Sequence, residues 1–200
     1  QGTEILIDVL KNVEFDEDDF QEIVNYSKEK KITFLCTPWD IPSVDFLEKL
    51  GVPAYKIASA DLTNLPLIAH ISKLNKPVIV STGMSEMEEI EKTVSFMKEK
   101  NIVFSLLHCC STYPSPVELL NLSLIPILQE KFNVPIGYSG HESSILPSIT
   151  AANMGAVIIE RHITLDKTME GLDQAASLEP DEFKELIKKI RESEKAKGVP

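Results

Sequence analysis

The chain has 200 residues, of which 43% are hydrophobic and 26% are charged, and its formal net charge is −11. This length allows a real hydrophobic core, and no apolar run approaches the ~20 residues that cross a bilayer, so no membrane partner is expected. The acidic excess also argues against a nucleic-acid partner, because phosphate backbones are bound by basic surfaces.

Six short apolar runs predict strands. They are nearly continuously apolar rather than alternating, which is typical of strands buried on both faces of a parallel sheet. Segments with helical periodicity lie between the runs, so the order indicates about six βα units at a spacing of roughly 20–30 residues. The predicted strands are residues 32–36, 54–59, 77–82, 103–110, 135–139 and 156–162.

The helices are predicted from apolar periodicity and from the signals at their ends. The first begins at Asp16 behind an acidic turn, and a later one begins at a capping box of Ser85 and Glu88. Two more are expected over residues 119–128 and 144–154. Pro180 opens the last helix, since proline is favoured in a first helical turn.

Two architectures fit this order: a doubly wound open sheet and a (β/α)₈ (TIM) barrel that lacks some units. No glycine-rich dinucleotide fingerprint follows any predicted strand, which argues against the doubly wound alternative. We therefore predict an α/β fold in which residues 1–200 form a partial TIM-barrel domain lacking the N-terminal strands. Residues 3–13 could supply part of another strand.

The three cysteines are Cys36, Cys109 and Cys110. Adjacent cysteines point to opposite sides of a strand and do not readily bridge each other. An odd count with an adjacent pair is typical of a reducing compartment, so we expect a cytoplasmic protein whose cysteines are small buried side chains.

Polar side chains cluster where the predicted strands end, and in parallel α/β folds the carboxyl ends of the strands form the active site. Lys56 is notable because a central strand gives its side chain no lateral route to solvent. We expect Lys56 to supply the main local cation for an anionic substrate. The other polar residues at these ends include Thr37, Asp40, Ser59, Asp61, Ser81, Ser111, Tyr113, Ser139 and Glu160.

Structural roles remain open for many polar residues. A serine or threonine after a strand can cap the next helix. Asp40, Asp61 and Glu160 can equally be caps or partners of buried cations. His70 is expected on a helix surface, and His108 as a hydrogen-bonded histidine of the core.

His141 and His162 end two successive predicted strands. Consecutive strands of a parallel barrel are neighbours, so side chains at matching heights lie close together. Two imidazoles with oxygen ligands nearby suit a divalent ion such as Mn²⁺, Fe²⁺ or Zn²⁺. The sequence therefore predicts a metal site beside an anion pocket, which suits the polarisation of a carbonyl group.

Five motifs resemble the sialic acid synthase family, which includes the synthases of N-acetylneuraminate, legionaminate and pseudaminate. They follow one another from about Phe34 to the end of the chain, and the longest contains "ERHITLDKT" and "ASLEP". The motifs are "YKIASADLTNLPLI", "VIVSTGM", "LLHCCSTYPSP", "IGYSGHESS" and "IIERHITLDKTMEGLDQAASLEPDEF".

The resemblance implies a TIM barrel that condenses phosphoenolpyruvate with an open-chain N-acetylated hexosamine and releases phosphate. It implies that His141 and His162 bind the metal, with Mn²⁺ preferred over Mg²⁺ or Co²⁺. Asp61, Glu160 and Lys56 fall on catalytic positions. The positions implied to bind the two substrates are Thr37, Lys56, Ser59, Ser81, Ser111, Tyr113, Ser139, Asp173 and Gln174.

The resemblance also implies parts that we expect to lie outside residues 1–200, namely N-terminal barrel units, a C-terminal antifreeze-like domain and a homodimer. Ser111 stands where several members of the family carry asparagine, a difference that bears on a phosphate contact. Gln174 stands where histidine is frequent, so the sugar is left open. Two alternatives remain. One is a phosphoenolpyruvate-dependent synthase acting on a phosphorylated aldose, for which only Arg161 and Lys167 offer further cations. The other is a non-catalytic barrel module.

Overall fold

The structure is a computed structural model that describes residues 14–198. The predicted partial strand at residues 3–13 lies outside the described residues. No helix within 14–198 is long and apolar enough to cross a membrane.

Five parallel strands form one sheet in which every strand pairs with the next strand along the chain. This sequential order, with helices between the strands, makes a half-barrel and confirms the partial TIM barrel over the doubly wound sheet, whose strand order would reverse. The strands are β1 (Tyr55–Ile57), β2 (Val78–Ser81), β3 (Phe104–Cys109), β4 (Ile136–Gly140) and β5 (Ile159–Arg161).

The prediction of a first strand at residues 32–36 was wrong. Phe34 and Cys36 pack against the hydrophobic core, but within the described residues this segment forms no ladder with β1. Ile32 and Leu35 are exposed. This run has the composition of a strand, because its side chains contribute to the core, but in residues 14–198 its backbone has no neighbouring strand to bond to.

The helices lie between the strands and largely follow the prediction. Asp16 caps the first helix through the backbone N–H groups of Asp18 and Asp19, and Pro180 opens the last one. The helices are α1 (Glu17–Lys30), α2 (Ile41–Leu50), α3 (Leu65–Ser72), α4 (Met87–Glu99), α5 (Leu124–Phe132), α6 (Leu146–Asn153) and α7 (Pro180–Lys197).

Two helix starts differ from the prediction. Ser85 donates its hydroxyl to the Gly83 carbonyl, so α4 begins one residue later, where the Glu89 carboxylate accepts from the Glu86 backbone N–H. The helix predicted at 119–128 is a short 3₁₀ turn over Val117–Leu119 followed by α5. Asn121 adopts a φ of +44°, which interrupts a right-handed helix.

The strands alternate between two environments, and this alternation positions the site. Tyr55 and Ile57 of β1 point toward the helices and are fully buried in the core, whereas Lys56 between them points to the inside of the half-barrel. In β4, Tyr138 belongs to the core and Ser139 faces inside. Successive side chains of a strand point to opposite faces, so every second residue at a strand end reaches one shared cavity.

Candidate functional site

A cavity of about 390 Å³ lies at the carboxyl ends of the five strands. The structure brings together most of the residues that the sequence predicted for a site. Of those residues, the ones that line the cavity are Thr37, Lys56, Ser59, Ser81, Ser111, Tyr113, Ser139, His141, Glu160, His162 and Asp173.

Lys56 lies at the centre of the polar part of the cavity. Its Nζ donates to Ser81 Oγ at 2.8 Å and to the Ile57 carbonyl at 3.1 Å. The Glu160 carboxylate lies 3.6 Å away. Burial lowers the pKa of Lys56, and Glu160 opposes that shift because a neighbouring anion favours the charged ammonium. A lysine held in this way presents a desolvated cation to an anionic ligand.

Gly83 allows two hydroxyls to converge beside this lysine. The Gly83 N–H donates to Ser59 Oγ at 3.0 Å. A Cβ at Gly83 would lie 2.2 Å from Ser111 Oγ and 2.8 Å from Ser59 Oγ, closer than real contacts allow. Only glycine leaves room for the two serines, so this position helps shape a pocket rich in hydrogen-bond donors.

Glu160 and Ser139 occupy matching positions on neighbouring strands. The two residues are Cα partners in the β4–β5 register, and Ser139 Oγ donates to Glu160 Oε1 at 2.8 Å. Glu160 therefore accepts a hydroxyl on one side and faces the Lys56 ammonium on the other. The arrangement places one carboxylate and one cation against the same cavity space.

His141 is buried and firmly oriented. Its Nδ1 lies 2.7 Å from the Cys110 carbonyl, an acceptor, so this nitrogen carries the proton. Its Nε2 then has a free lone pair, which accepts from the Tyr113 hydroxyl at 2.9 Å, and the Tyr113 ring stacks on the imidazole with centroids 4.0 Å apart. A backbone carbonyl on one imidazole nitrogen is the usual support of a metal-binding histidine.

His162 lies beside His141 with fewer contacts. The two ring centroids are 5.3 Å apart, and Asp173 Oδ2 is 3.8 Å from His162 Nδ1. Burial lowers the pKa of His162, and the neighbouring His141 lowers it further, while Asp173 raises it. The imidazole therefore favours the neutral form that can bind a metal.

The described residues include no group of three or more histidine, cysteine, aspartate or glutamate side chains arranged to hold a metal ion. His141 and His162 would supply two ligands, and the others would have to come from water or substrate oxygens. Sites with open positions of this kind are typical of catalytic metals rather than structural ones.

Three predicted residues do not line the cavity. Asp61 lies in a 3₁₀ turn after β1, where its carboxylate accepts from the Asn64 side chain at 2.9 Å. Gln174 begins another 3₁₀ turn in the loop after β5. Asp40 is the N-cap of α2 and accepts from the Ser43 N–H, as its alternative interpretation predicted.

The histidines outside the cavity match their predictions. His108 is buried in β3 and contacts the Leu120 carbonyl at 2.7 Å, which confirms a hydrogen-bonded core residue. His70 lies on α3 and contacts Asp45 at 2.7 Å. Both face away from the cavity.

Sequence reasoning did not assign site roles to Trp39, Met84 and Cys109, which also line the cavity. Trp39 and Met84 are exposed at its rim, and Cys109 is the buried last residue of β3. Their positions could have indicated the site, because each residue lies at or just beyond a strand end or a predicted strand end. They were missed because an apolar or small side chain does not by itself indicate a binding or catalytic role.

Arg161 points away from the cavity, as strand alternation requires of a residue between Glu160 and His162, which both line it. Its guanidinium is buried on the helix side of the sheet and pairs with Glu142 at 2.9 Å. Lys167 is paired with Glu182 at 2.6 Å. The two further cations noted in the sequence are therefore both engaged elsewhere.

A polar cavity at the carboxyl ends of a parallel half-barrel is the arrangement found in TIM-barrel enzymes. The chain matches the NeuB family over residues 1–200 and belongs to that family. This finding confirms the resemblance to the sialic acid synthases.

The curated relatives come from archaea, bacteria and animals. An uncharacterized protein of Methanocaldococcus jannaschii is 45% identical over 96% of this chain and 57% of its own length. The N,N'-diacetyllegionaminic acid synthase of Campylobacter jejuni is 42% identical over 96% of this chain and 58% of its own length. The N-acetylneuraminate-9-phosphate synthase of Homo sapiens is 40% identical over 95% of this chain and 53% of its own length. The chain thus spans a little over half the length of these relatives.

Solved structures confirm the fold. The crystal structure of an N-acetylneuraminic acid (sialic acid) synthetase from Leptospira borgpetersenii, in complex with citrate, superposes with a TM-score of 0.94 and 37% identity. The superposition covers 98% of this chain and 69% of the synthetase chain. A phospho-2-dehydro-3-deoxyheptonate aldolase from Thermotoga maritima superposes with a TM-score of 0.79 at 19% identity over 92% and 57% of the two chains, a likeness of fold alone.

Proposed function

We propose that the protein containing this chain condenses phosphoenolpyruvate with an open-chain N-acetylated hexosamine, such as N-acetylmannosamine, to give a nonulosonic acid and phosphate. The observation that carries the proposal is the shared cavity, which Lys56, a cluster of hydroxyls and two histidines line together. Membership of the NeuB family and relatives named for sugar-acid synthesis support the same chemistry.

The anion pocket fits phosphoenolpyruvate. Lys56 would supply the positive charge, and Ser59, Ser81 and Ser111 would donate hydrogen bonds to phosphate or carboxylate oxygens. Ser139 would do so once its hydroxyl turns away from Glu160, to which it now donates. Thr37 lines the same cavity and would contribute one more hydroxyl. Because the chain is acidic overall, the charge of Lys56 matters more than it would in a basic protein.

A divalent metal is part of the proposal, with Mn²⁺ preferred and Mg²⁺ or Co²⁺ as alternatives. His141 and His162 fit such an ion, because the Cys110 carbonyl fixes the His141 tautomer in which Nε2 is unprotonated. The Tyr113 hydroxyl that now donates to Nε2 would give up this position to the ion. When bound, the ion would polarise the aldehyde oxygen of the sugar toward attack by the substrate enol carbon. Tyr113, which contacts the same Nε2, and Asp173, beside His162, would face the sugar.

Glu160 is proposed to stabilise the positive charge that develops at C2 of phosphoenolpyruvate when the new carbon–carbon bond forms. Its position beside Lys56 and Ser139 supports this role. Asp61 stays a prediction as the group that orients or deprotonates the attacking water. Gln174 likewise stays a prediction as a sugar-contacting residue.

A phosphorylated sugar would need a second cationic cluster near the cavity. Arg161 is buried on the opposite side of the sheet, and Lys167 is held by Glu182. Within residues 14–198, neither of these two cations reaches the cavity, and we therefore propose an unphosphorylated sugar over the phosphorylated alternative. A cytoplasmic location and a homodimer of the full-length protein remain predictions.

The decisive experiment measures phosphate release by the full-length protein with phosphoenolpyruvate, Mn²⁺ and N-acetylmannosamine. Sugar-dependent phosphate release is expected, and its absence with every N-acetylated hexosamine tested would favour the non-catalytic alternative.

The anion role of Lys56 is tested by Lys56→Met, which should raise the KM for phosphoenolpyruvate far more than the KM for the sugar. Lys76→Met, which removes a lysine outside the cavity, is the matched control and should change neither. A defect confined to the sugar KM would place the wrong substrate beside Lys56.

A further inference from the structure

A second polar cluster lies behind the histidines, on the helix side of the sheet. We call Tyr138, Glu142, Ser148 and Arg161 the upper network. Tyr138 Oη donates to Glu142 Oε2 at 2.8 Å, and Ser148 Oγ donates to Glu142 Oε1 at 3.1 Å. The side chains of Arg161 and Glu142 are 0% and 1% exposed, so this ion pair is almost completely removed from water.

Arg161 connects several points of the segment that follows β4. Its Nη1 donates to Glu142 Oε1 at 2.9 Å, to Ser148 Oγ at 3.0 Å and to the Ser144 carbonyl at 3.1 Å, and its Nη2 donates to the Glu142 carbonyl. One guanidinium thus holds a carboxylate, two backbone carbonyls and the first turn of α6. The planar, multiply donating group of arginine suits this geometry, whereas the single ammonium of lysine does not.

The backbone is adapted to this cluster. A Cβ at Gly140 would lie 2.6 Å from Glu142 Oε2 and 2.7 Å from Tyr138 Cε1. Gly140 also pairs with Arg161 in the β4–β5 register. A glycine at this position therefore lets the Glu142 side chain fold back beneath the end of β4 and reach its partner on β5.

The upper network is adjacent in sequence to both proposed metal ligands. Glu142 directly follows His141, and Arg161 directly precedes His162. Alternate residues point to opposite faces, so each histidine enters the cavity while its neighbour enters the upper network. A bond between Glu142 and Arg161 on one face therefore constrains the separation of His141 and His162 on the other.

Stability alone does not account for a buried ion pair of this kind. The desolvation of two charges often offsets their attraction, and well-packed apolar or neutral replacements of a buried pair are frequently neutral or stabilising. Geometric definition is the better explanation here, because the pair ties together the two segments whose relative position the metal site requires.

We infer that the Arg161–Glu142 pair is a positioning device for the two histidines, which holds the β4 and β5 ends at the separation that a shared metal ion requires. The inference rests on the proposed function for the identity of the ligand. Residues that orient metal ligands typically change metal affinity about 10- to 100-fold when they are replaced. Arg161 and Glu142 would act through His141 and His162 and would not touch the substrate.

The test compares three forms of the full-length protein: wild type, Arg161→Lys, and the double variant Arg161→Met with Glu142→Gln. The double variant removes both charges together and leaves no unpaired buried carboxylate, so its melting temperature should stay near that of wild type. Mn²⁺ affinity is measured by titration calorimetry. The ¹⁵N signals of the His141 and His162 imidazoles, assigned with His→Gln variants, are recorded without metal.

We expect the double variant to melt near wild type, to bind Mn²⁺ about 10- to 100-fold more weakly, and to show altered imidazole signals. Arg161→Lys keeps the charge, so it should also melt near wild type while it binds Mn²⁺ more weakly than wild type. If the double variant is too unstable to measure, the split between stability and affinity in Arg161→Lys decides the question.

Wild-type affinity and unchanged imidazole signals in the double variant, or in Arg161→Lys where the double variant cannot be measured, would overturn the inference and leave the pair with a purely structural role. Failure of the proposed metal site is a separate result, because wild type itself would then bind no Mn²⁺. The metal-free imidazole signals still judge the positioning role in that case. Lys76→Met with Glu48→Gln, an equivalent pair outside the cavity, should leave affinity and signals unchanged.

Discussion

The structure uses one polar arrangement, a tyrosine, a glutamate and a cation, at two ends of the sheet. The lower network consists of Tyr55, Glu48 and Lys76, near the amino ends of β1 and β2. Tyr55 Oη donates to Glu48 Oε2 at 2.7 Å, and Lys76 Nζ lies 2.5 Å from the same oxygen. The upper network repeats the pattern at the carboxyl ends of β4 and β5.

The two networks differ in burial and in the cation that they use. The Lys76 and Glu48 side chains are 22% and 39% exposed, whereas the ion pair of the upper network has almost no exposure. The lysine joins one carboxylate, while Arg161 joins four groups. In barrels the carboxyl ends carry function and the amino ends contribute stability. The same combination of side chains thus stabilises the sheet at the amino ends of β1 and β2. At the carboxyl ends, we infer, it fixes the separation of β4 and β5.

The tyrosines behave alike in both networks. Burial, together with the neighbouring carboxylate, raises the pKa of Tyr55 and of Tyr138 well above the ordinary value of 10.0. Each phenol is therefore protonated at neutral pH, where it donates to its glutamate. The difference between the networks lies in the cation and its surroundings.

The largest expected effect is a loss of function without a loss of stability when a histidine at the carboxyl ends of the strands is replaced. His141→Ala should abolish Mn²⁺ binding and sugar-dependent phosphate release, because it removes one of two proposed protein ligands, while the circular dichroism spectrum stays that of wild type. His70→Ala removes a histidine on α3 and is the matched control, which should keep full activity. Retained Mn²⁺ binding in His141→Ala would contradict the metal assignment.

The second prediction compares how much stability is lost when the cation of each network, Arg161 or Lys76, is replaced. Arg161→Met alone leaves Glu142 buried and unpaired, which should lower the free energy of unfolding by about 3–5 kcal/mol. Lys76→Met leaves Glu48 partly in water and should cost at most about 1 kcal/mol. Urea denaturation of both variants measures the difference. Equal losses would mean that the two networks are energetically alike.

The third prediction compares a crowded glycine with a strained one. Gly140→Ala should displace Glu142 or Tyr138 and cost about 1–3 kcal/mol, with weaker Mn²⁺ binding, because it disturbs the upper network. Gly51→Ala, three residues after Glu48, meets no atom within 4 Å but has a φ of +75°. It should cost about 1–2 kcal/mol through backbone strain and leave Mn²⁺ binding unchanged. Equal Mn²⁺ affinities in the two variants would remove the link between Gly140 and the histidines.

The smallest expected effect concerns the stability of the protein at acidic pH. Hydrogen bonds from Lys76 and Tyr55 lower the pKa of Glu48 below its ordinary value of 4.5. A carboxylate with a lowered pKa contributes stability above the unfolded value and loses it as the pH falls through the folded value. The free energy of unfolding should therefore decline below about pH 4.5, and Glu48→Gln should make that decline slightly shallower.

Urea denaturation at a series of pH values measures this slope. Glu130→Gln, on the exposed surface of α5, serves as the control and should leave the slope as in wild type. An identical slope in Glu48→Gln and wild type would show that the lower network does not contribute to acid sensitivity.

Much of the fold and the site could be predicted from local patterns. The continuously apolar runs around Ile57, Leu106 and Ile136 predicted buried parallel strands, and the structure contains them. The matching positions of His141 and His162 predicted neighbouring imidazoles, which the structure places 5.3 Å apart. Both predictions succeed because strand burial and side-chain direction depend on residues close together in the chain.

Other features depended on contacts between distant residues. The apolar run at 32–36 lacked a paired neighbour, and the Asp61 carboxylate turned toward Asn64 and away from the cavity. Hydroxyls 52 residues apart, those of Ser59 and Ser111, both lie against Gly83, where only a glycine leaves space for them. No local pattern encodes which partner such a group meets.

The sequence by itself determined which side chains stand at the strand ends and which face of each strand they share, because a strand alternates with a fixed period of two. Only the tertiary structure decided what lies opposite each of those side chains. Arg161 was noted in the sequence as a further cation, and the period of two already turns it away from the face that Glu160 and His162 share. Its position against Glu142, where α6 packs, was decided only by the tertiary structure. Its partner depends on how the chain returns after β4, and that path is set by the packing of the whole half-barrel and not by the residues beside it.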